Sequence, residues 1–431
     1  MYYNLTVILR LLLIIAIKVT VKMLFDNSLS DDEIIIEDGV YNIADFAQYH
    51  HPGGDIIKIF GRMDVTRHYR SIHHTHSKEY HKKVMNRFFV RKVANNDNVN
   101  FDTDFARDLK SRVVRGIPYQ YANRWWYARA TTYVSLWLVC MYTMVVAPSY
   151  LVAICYGVAK ALMGTNIMHD ASHGSISRSW FVNDLFFFLS TYPIGLNQFA
   201  WFQQHIMAHH PFTNDYDKDG DIKSGEPYLV THPSGKIVWY HRFQAYFMEA
   251  LFSFFTVLKV TSLDIVTMKL TDDFHVVTWL WNKRHLGRFM KTLYLFVNIV
   301  LPIYYHGVPV IRFYLLTTIV SSLILATIFI ISHCFDGVKH HEQTNDWYRG
   351  QIATSSSYGG QIACWLTGGL NFQIEHHLFP RVNSCHYVKL HSIVVEVCRQ
   401  HNIPYTYFPT IFDNFQSTIT YMTKVGTGKY V

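Results

Sequence analysis

ATTYVSLWLVCMYTMVVAPSYLVAICYGVA, residues 130–159, contains no charged side chain, and past Lys160 the apolar character continues to Met168. That length holds two helices of about 20 residues, the span of a bilayer's hydrocarbon core. Pro148, near the middle, marks a turn between them. A second pair follows, since residues 292–311 and 313–335 are also uncharged, with a turn around Tyr304-Tyr-His-Gly-Val-Pro309. The chain reads as an α-helical polytopic membrane protein with two transmembrane hairpins, spanning roughly 130–148, 149–168, 292–311 and 313–333.

Charge placement sets the orientation. Arg124 and Arg129 precede the first pair, and Lys283, Arg284, Arg288 and Lys291 precede the second, whereas the two turns carry no Lys or Arg. This is the positive-inside pattern, so the turns are expected in the lumen and the large loops in the cytosol. The net charge of +8 is thereby explained by membrane flanks, and no nucleic-acid motif accompanies it. Six cysteines without CxxC spacing argue against a disulfide or zinc framework and fit a reducing compartment.

Three histidine clusters stand beside the cytosolic ends of these segments: His169-Asp-Ala-Ser-His173, His205-Ile-Met-Ala-His209-His210, and Gln373-Ile-Glu-His376-His377. Each hairpin returns the chain to its starting side, so all three emerge on one face. On a helix, His169 and His173 share a side, as do His205 and His209. Neutral imidazole is the commonest ligand for redox transition metals, so the pattern reads as a histidine-rich metal centre.

The remaining texture varies. Residues 1–29 form an apolar extension broken by Arg10 and Lys18, without a small-residue cleavage site; it reads as an anchor, an interfacial helix or a dispensable extension, not a signal peptide. Residues 30–94 look soluble, with a strand, an Asp38-Gly39 turn and a second strand. An Asn-rich linker covers 95–104 and the membrane domain 105–431. Phe101, Phe105, Leu109 and Val113 line one side of an amphipathic helix. Residues 180–200 and 243–258 are expected as interfacial helices, because Asn183, Asp184 and Glu249 are costly in lipid.

Asp38-Gly-Val-Tyr41, Asp45-Phe46, His51-Pro-Gly-Gly54 and Asp64-Val-Thr66 occur in the order and spacing of the cytochrome b5 haem domain, which this segment resembles, a small α+β fold. The resemblance implies haem b with His51 as one axial ligand. The other is His73 or His74; His73 is favoured because Tyr69 then takes the place of the aromatic four residues before it. Two axial imidazoles leave no open iron position, which suits electron transfer.

The rest of the chain resembles the membrane fatty-acid desaturases through Trp201-Phe-Gln-Gln-His205, Thr213-Asn214, Asp217-Lys-Asp219 and Gly368-Gly-Leu-Asn-Phe-Gln-Ile-Glu-His-His-Leu-Phe-Pro380; Lys218 replaces the family's Pro. Gln373 stands where ordinary members have His, a form that resembles the front-end desaturases, which act between an existing double bond and the carboxyl end. The resemblance implies two non-haem iron ions held by His169, His173, His205, His209, His210, His376 and His377. Gln373 is expected to orient a ligand or to be an outer one. His333, at the cytosolic end of the last span, is the candidate for a further ligand, and Asp170 and Glu375 are expected to accept ligand N–H groups.

The implied partners are a fatty acyl-CoA or phospholipid-bound acyl chain, O2, NADH-cytochrome b5 reductase and membrane lipid. The implied location is the endoplasmic reticulum, with both redox sites cytosolic. The implied activity is desaturation of the delta-5/delta-6 type. Rival readings are a sphingolipid long-chain-base desaturase, a lipid hydroxylase, against which Gln373 counts, and a membrane-anchored haem electron carrier.

Overall fold

A computed structural model of the chain describes residues 26, 28–47, 54–75, 78–94, 99–196, 198–254, 289–340 and 345–430. Residues 1–25, His51, residues 95–98 of the Asn-rich linker and the basic residues Lys283, Arg284 and Arg288 lie outside these.

The N-terminal unit carries a three-stranded antiparallel sheet of β1 (Glu33–Ile36), β2 (Gly39–Asn42) and β3 (Phe89–Lys92), in the order β1-β2-β3. The expected hairpin turn is present, although the positive φ falls on Glu37 and not on Gly39. Glu37 N–H donates to Thr66 Oγ1 at 2.7 Å, which ties that turn to the Asp64-Val-Thr66 motif. Within the motif, the Asp64 carboxylate accepts from both the amide and the hydroxyl of Thr66, at 2.9 and 2.6 Å. Such a side-chain turn starts helix α1 (Thr66–Ile72). Helix α2 (Lys78–Met85) leads back to β3. Ile34, Ile36, Ile43, Ile59, Met63, Val65 and Met85 pack as one cluster that also takes in Met207 from the membrane domain.

Helix α3 (Asp104–Gly116) is N-capped by Thr103, whose hydroxyl accepts from Ala106 N–H. Its expected apolar stripe is buried: Phe105, Leu109 and Val113 join Phe101 in a core with Leu390, Val394 and Val397.

The first hairpin is α4 (Arg124–Val146) and α5 (Tyr150–Met163), capped by Asn123 and Ser149. Helix α5 runs through a π turn, Gly164–Met168, into α6 (His169–Ser172). Among the described residues, three helical stretches are long and apolar enough to cross a membrane: Arg124–Val146, Tyr150–Ser172 and Val308–Ile331. The segment expected over 292–311 is helical through a π turn, Phe296–Val300, into Leu301–His306, where Gly307 (φ 74°) ends it; it is not among those three. Its partner arm is α7 (Ile311–Ile331), which begins before Phe313 and includes Arg312.

Further helices among the described residues, outside the spans, include Trp180–Ile194, Gln244–Phe252, Trp347–Ala353, Gly360–Thr367, Gln373–Leu378, Tyr387–Gln400 and Ile411–Gly426. Both expected interfacial helices expose aromatics, Phe181 on the first and Tyr246 on the second. Asn183 is buried, with its amide oxygen accepting from Ile176 and Ser177 N–H and its NH2 donating to Ser177 and Ser179 carbonyls. All six cysteines are unpaired.

Candidate metal centre

The histidines of the three clusters, in chain order the first, second and third boxes, meet at one place. His169, His173, His205 and His376 form one group and His209, His333 and His377 a second; within each, one potential ligand atom per residue lies within 4.8 Å of the others. His210 links them: its Nε2 is 3.2 Å from that of His205 and 3.1 Å from that of His376, and its ring stacks on His377 at 4.4 Å.

Local winding creates this arrangement. Phe202–His209 is a π-helix, so His210 N–H reaches the His205 carbonyl at 3.2 Å. Five-residue bonding brings His205 and His210 together and sends His209 to the second group. His205 and His209 lie on one side, as their spacing implies, with ring centroids 5.3 Å apart and both near Asp221, yet each also belongs to a different one of the two groups. The π turn Gly164–Met168 similarly precedes His169.

The outward nitrogens show what the inward ones carry. Nδ1 of His209 lies 2.9 Å from Asp219, Nδ1 of His205 3.3 Å from Asp221, and Nδ1 of His333 3.1 Å from the Thr354 carbonyl. Carboxylates and carbonyls only accept, so these Nδ1 atoms carry hydrogen and a neutral ring leaves its lone pair on Nε2. Nδ1 of His376 meets the Tyr387 hydroxyl and Nδ1 of His377 the Thr213 hydroxyl, both at 3.0 Å. Inward, the Nε2 atoms converge: those of His169 and His205 stand 3.2 Å apart, and the buried Nε2 of His173 has no hydrogen-bond partner among the described residues. Converging lone pairs repel unless a cation lies among them, so the donor set fits two metal ions.

Charge supports this. Burial holds His210, His376 and His377 well below the imidazole value of 6.5, and His333 is pushed down to about 3. Neutral imidazole is the metal-binding form. Burial would lower His209 too, but the Asp219 carboxylate outweighs it and raises that ring.

Gln373 touches the second group, its Nε2 lying 3.0 Å from His333 Nε2 and 3.4 Å from His377 Nε2, while its buried Oε1 has no partner. Asp170 and Glu375 do not accept from ligand imidazoles. Asp170 takes Trp126 Nε1 and Ser384 Oγ, both at 2.6 Å, which ties α4 to the chain after the third box. Glu375 takes Ser357 Oγ, Tyr405 OH and His391 Nδ1. The groups that meet the ligands' Nδ1 atoms are the Asp219 and Asp221 carboxylates, the Thr354 carbonyl and the Thr213 and Tyr387 hydroxyls. The acidic run after the second box signals the first two; nothing local to Tyr387 marks it.

At the N-terminal unit, His73 Nδ1 donates to the Tyr69 carbonyl at 2.9 Å, which leaves Nε2 with a lone pair. His74 is buried, with its Nε2 3.1 Å from Gln120 Oε1.

A membrane-spanning helical frame, a buried histidine centre suited to two metal ions and a small sheet-bearing domain beside it define a membrane redox protein. Residues 142–409 match the family Fatty acid desaturase, and residues 26–94 match Cytochrome b5-like Heme/Steroid binding domain. An acyl-lipid (7-3)-desaturase of Rebecca salina is 30% identical over 428 residues, covering 92% of this chain and 91% of that one. An acyl-lipid (7-3)-desaturase of Diacronema lutheri is 27% identical over 92% of this chain and 91% of its own length. Delta(5) fatty acid desaturase A of Dictyostelium discoideum is 26% identical over 93% of this chain and 92% of its own length. The chain belongs to the fatty acid desaturase family, as a front-end desaturase with an N-terminal cytochrome b5 domain.

Proposed function

We propose that this protein inserts a cis double bond into a polyunsaturated acyl chain of a membrane lipid, between an existing double bond and the carboxyl end, using O2 and electrons delivered through its haem domain. The observation that carries the reading is the pair of buried imidazole groups whose potential ligand atoms converge, with the Nδ1–H of His205, His209 and His333 turned outward to acceptors. Bound iron would supply the O2-derived oxidant that an unactivated methylene pair demands.

The ligand sets we assign are His169, His173, His205 and His376 for one ion and His209, His333 and His377 for the other, with His210 between them. Gln373 completes the smaller set. Its amide either steadies the His333 and His377 rings or, turned over, presents its oxygen to the ion; amide orientation follows whichever partner is present. Haem b is held by His51 and His73, since His73 Nδ1–H bonds the Tyr69 carbonyl, whereas His74, whose Nδ1 also meets a carbonyl, turns its Nε2 to Gln120. The acyl-lipid and Delta(5) names of the relatives support an acyl chain on a lipid and the delta-5/delta-6 type of position. An NADH-cytochrome b5 reductase is the electron source, and the location is the endoplasmic reticulum with both redox sites cytosolic, because basic residues flank the spans on that side.

Expression in cells fed defined polyunsaturated acids tests this. The expected result is a new double bond on the carboxyl side of the existing ones, absent in His205→Ala. A hydroxylated product or a desaturated sphingoid base would replace this reading.

A further inference from the structure

Two adjacent histidines, His73 and His74, follow helix α1, and only one is needed by the haem. The other faces the membrane domain. His74 is 7% exposed, its Nε2 meets Gln120 Oε1 at 3.1 Å, and its ring stands edge-on to Phe379 with centroids 4.9 Å apart. Gln120 is itself held, because its carbonyl accepts from Asn383 N–H at 2.8 Å. Phe379 is fully buried and follows His376-His377-Leu378 directly.

The same helix reaches the second box. Arg67 donates to the Pro211 carbonyl at 3.4 Å and lies over the Phe212 ring at 4.8 Å, just after His209-His210. Phe60 contacts Phe202 with centroids 6.1 Å apart, and Met207 packs in the haem domain's own core. Arg70 closes the arrangement on Asp102 at 2.5 Å. The haem domain thus touches residues adjoining two of the three boxes, through the helix that ends at His73.

We infer that His74 is a positioning residue for electron transfer: with Gln120 it seats the haem domain so that the chain from His73 to the third box is continuous through the His74–Phe379 contact. The inference rests on the haem and di-metal reading above. The route runs along the His73–His74 peptide, across the ring contact, and along Phe379-Leu378-His377. Packed atoms carry an electron better than a water gap, and a fixed pose removes the search that a free tether would require. Each turnover moves two electrons, one at a time, from NADH through the flavin reductase and the haem domain. With two protons and O2 they convert a CH2–CH2 pair into an alkene and two waters. His74 takes no part in the chemistry. It holds the donor in place.

The test uses the full-length protein in phosphatidylcholine vesicles carrying polyunsaturated acyl chains. The haem is reduced with NADH and reductase, and its reoxidation on mixing with O2 is followed by absorbance. His205→Ala sets the background rate. His74→Leu and Gln120→Ala should keep the six-coordinate haem spectrum and the non-haem iron of the parent, yet reoxidise at least about ten-fold more slowly. Gln120→Glu, which restores an acceptor, should recover most of the rate. Unchanged reoxidation in both variants overturns the inference, as does loss of the haem spectrum in His74→Leu, which would make His74 the axial ligand. A parent protein with no non-haem iron would instead overturn the di-metal reading on which it rests.

Discussion

At the residue scale, function depends on which nitrogen of each imidazole is free. His333 shows this: its Nδ1 is committed to the Thr354 carbonyl and its Nε2 faces His377 and Gln373. His333→Ala should lower bound non-haem iron and abolish desaturation while the haem spectrum stays intact; a variant that keeps both iron and turnover would reduce His333 to an interfacial residue. Asp219→Asn removes the carboxylate that polarises His209, and a loss of about 10–100-fold in metal affinity or activity is expected, read by iron retention under a chelator. Gln373→Ala should cost most of the activity with the protein still in the membrane, and Gln373→His should retain a little, since a larger ring must fit a site shaped for an amide. Full activity with Ala would make Gln373 a passive marker. The box histidines were legible because their spacing survives folding. The carboxylates that serve them were not: Asp170 and Glu375 lie nearest in sequence, but the winding of their helices aims them at Trp126, Ser384, Tyr405 and His391 instead.

At the element scale, two features place the boxes. The π-helix through His205 sends His205 and His209 to different groups, and a second π turn leads into His169, a winding that a repeat of four in sequence does not announce. The other is the glycine pair ahead of the third box. Gly368 has φ +68°, and a Cβ there would run into the Thr165 carbonyl inside the first π turn. Gly368→Ala should therefore destabilise by more than about 1 kcal/mol and lower iron loading, measured by thermal melting in detergent and metal analysis; an unchanged melt would mean the two turns are not in contact. The stripe of α3, by contrast, follows directly from its apolar period. Leu109 is fully buried against the Leu390, Val394 and Val397 face, so Leu109→Ala should cost about 2–5 kcal/mol.

At the scale of the whole molecule, a haem domain, a membrane frame and a histidine centre share one interior, and their coupling sets the response to acid. His210, His376 and His377 are buried below their ordinary value of 6.5. The unfolded chain takes up protons near 6.5 that the folded chain refuses, so their contribution to stability is complete above 6.5 and is lost as pH falls below it toward the folded values. The metal-free protein should melt at a falling temperature as pH drops from neutral through this window; a flat profile would mean these rings are already charged or solvated. The first hairpin and the last span were readable from charge-free runs, whereas the arm expected over 292–311, broken by a π turn and ended at Gly307, is not among the candidate spans. The seating of the haem domain on the second and third boxes was not readable, because it joins residues far apart in sequence, as Arg67 with Pro211 and His74 with Phe379. The most direct test of the account is the iron count of the purified full-length protein set against its haem content. It predicts one haem and two further, non-haem iron ions per chain, the latter lost in His205→Ala and His333→Ala. Iron equal to haem, with desaturation intact, would contradict it.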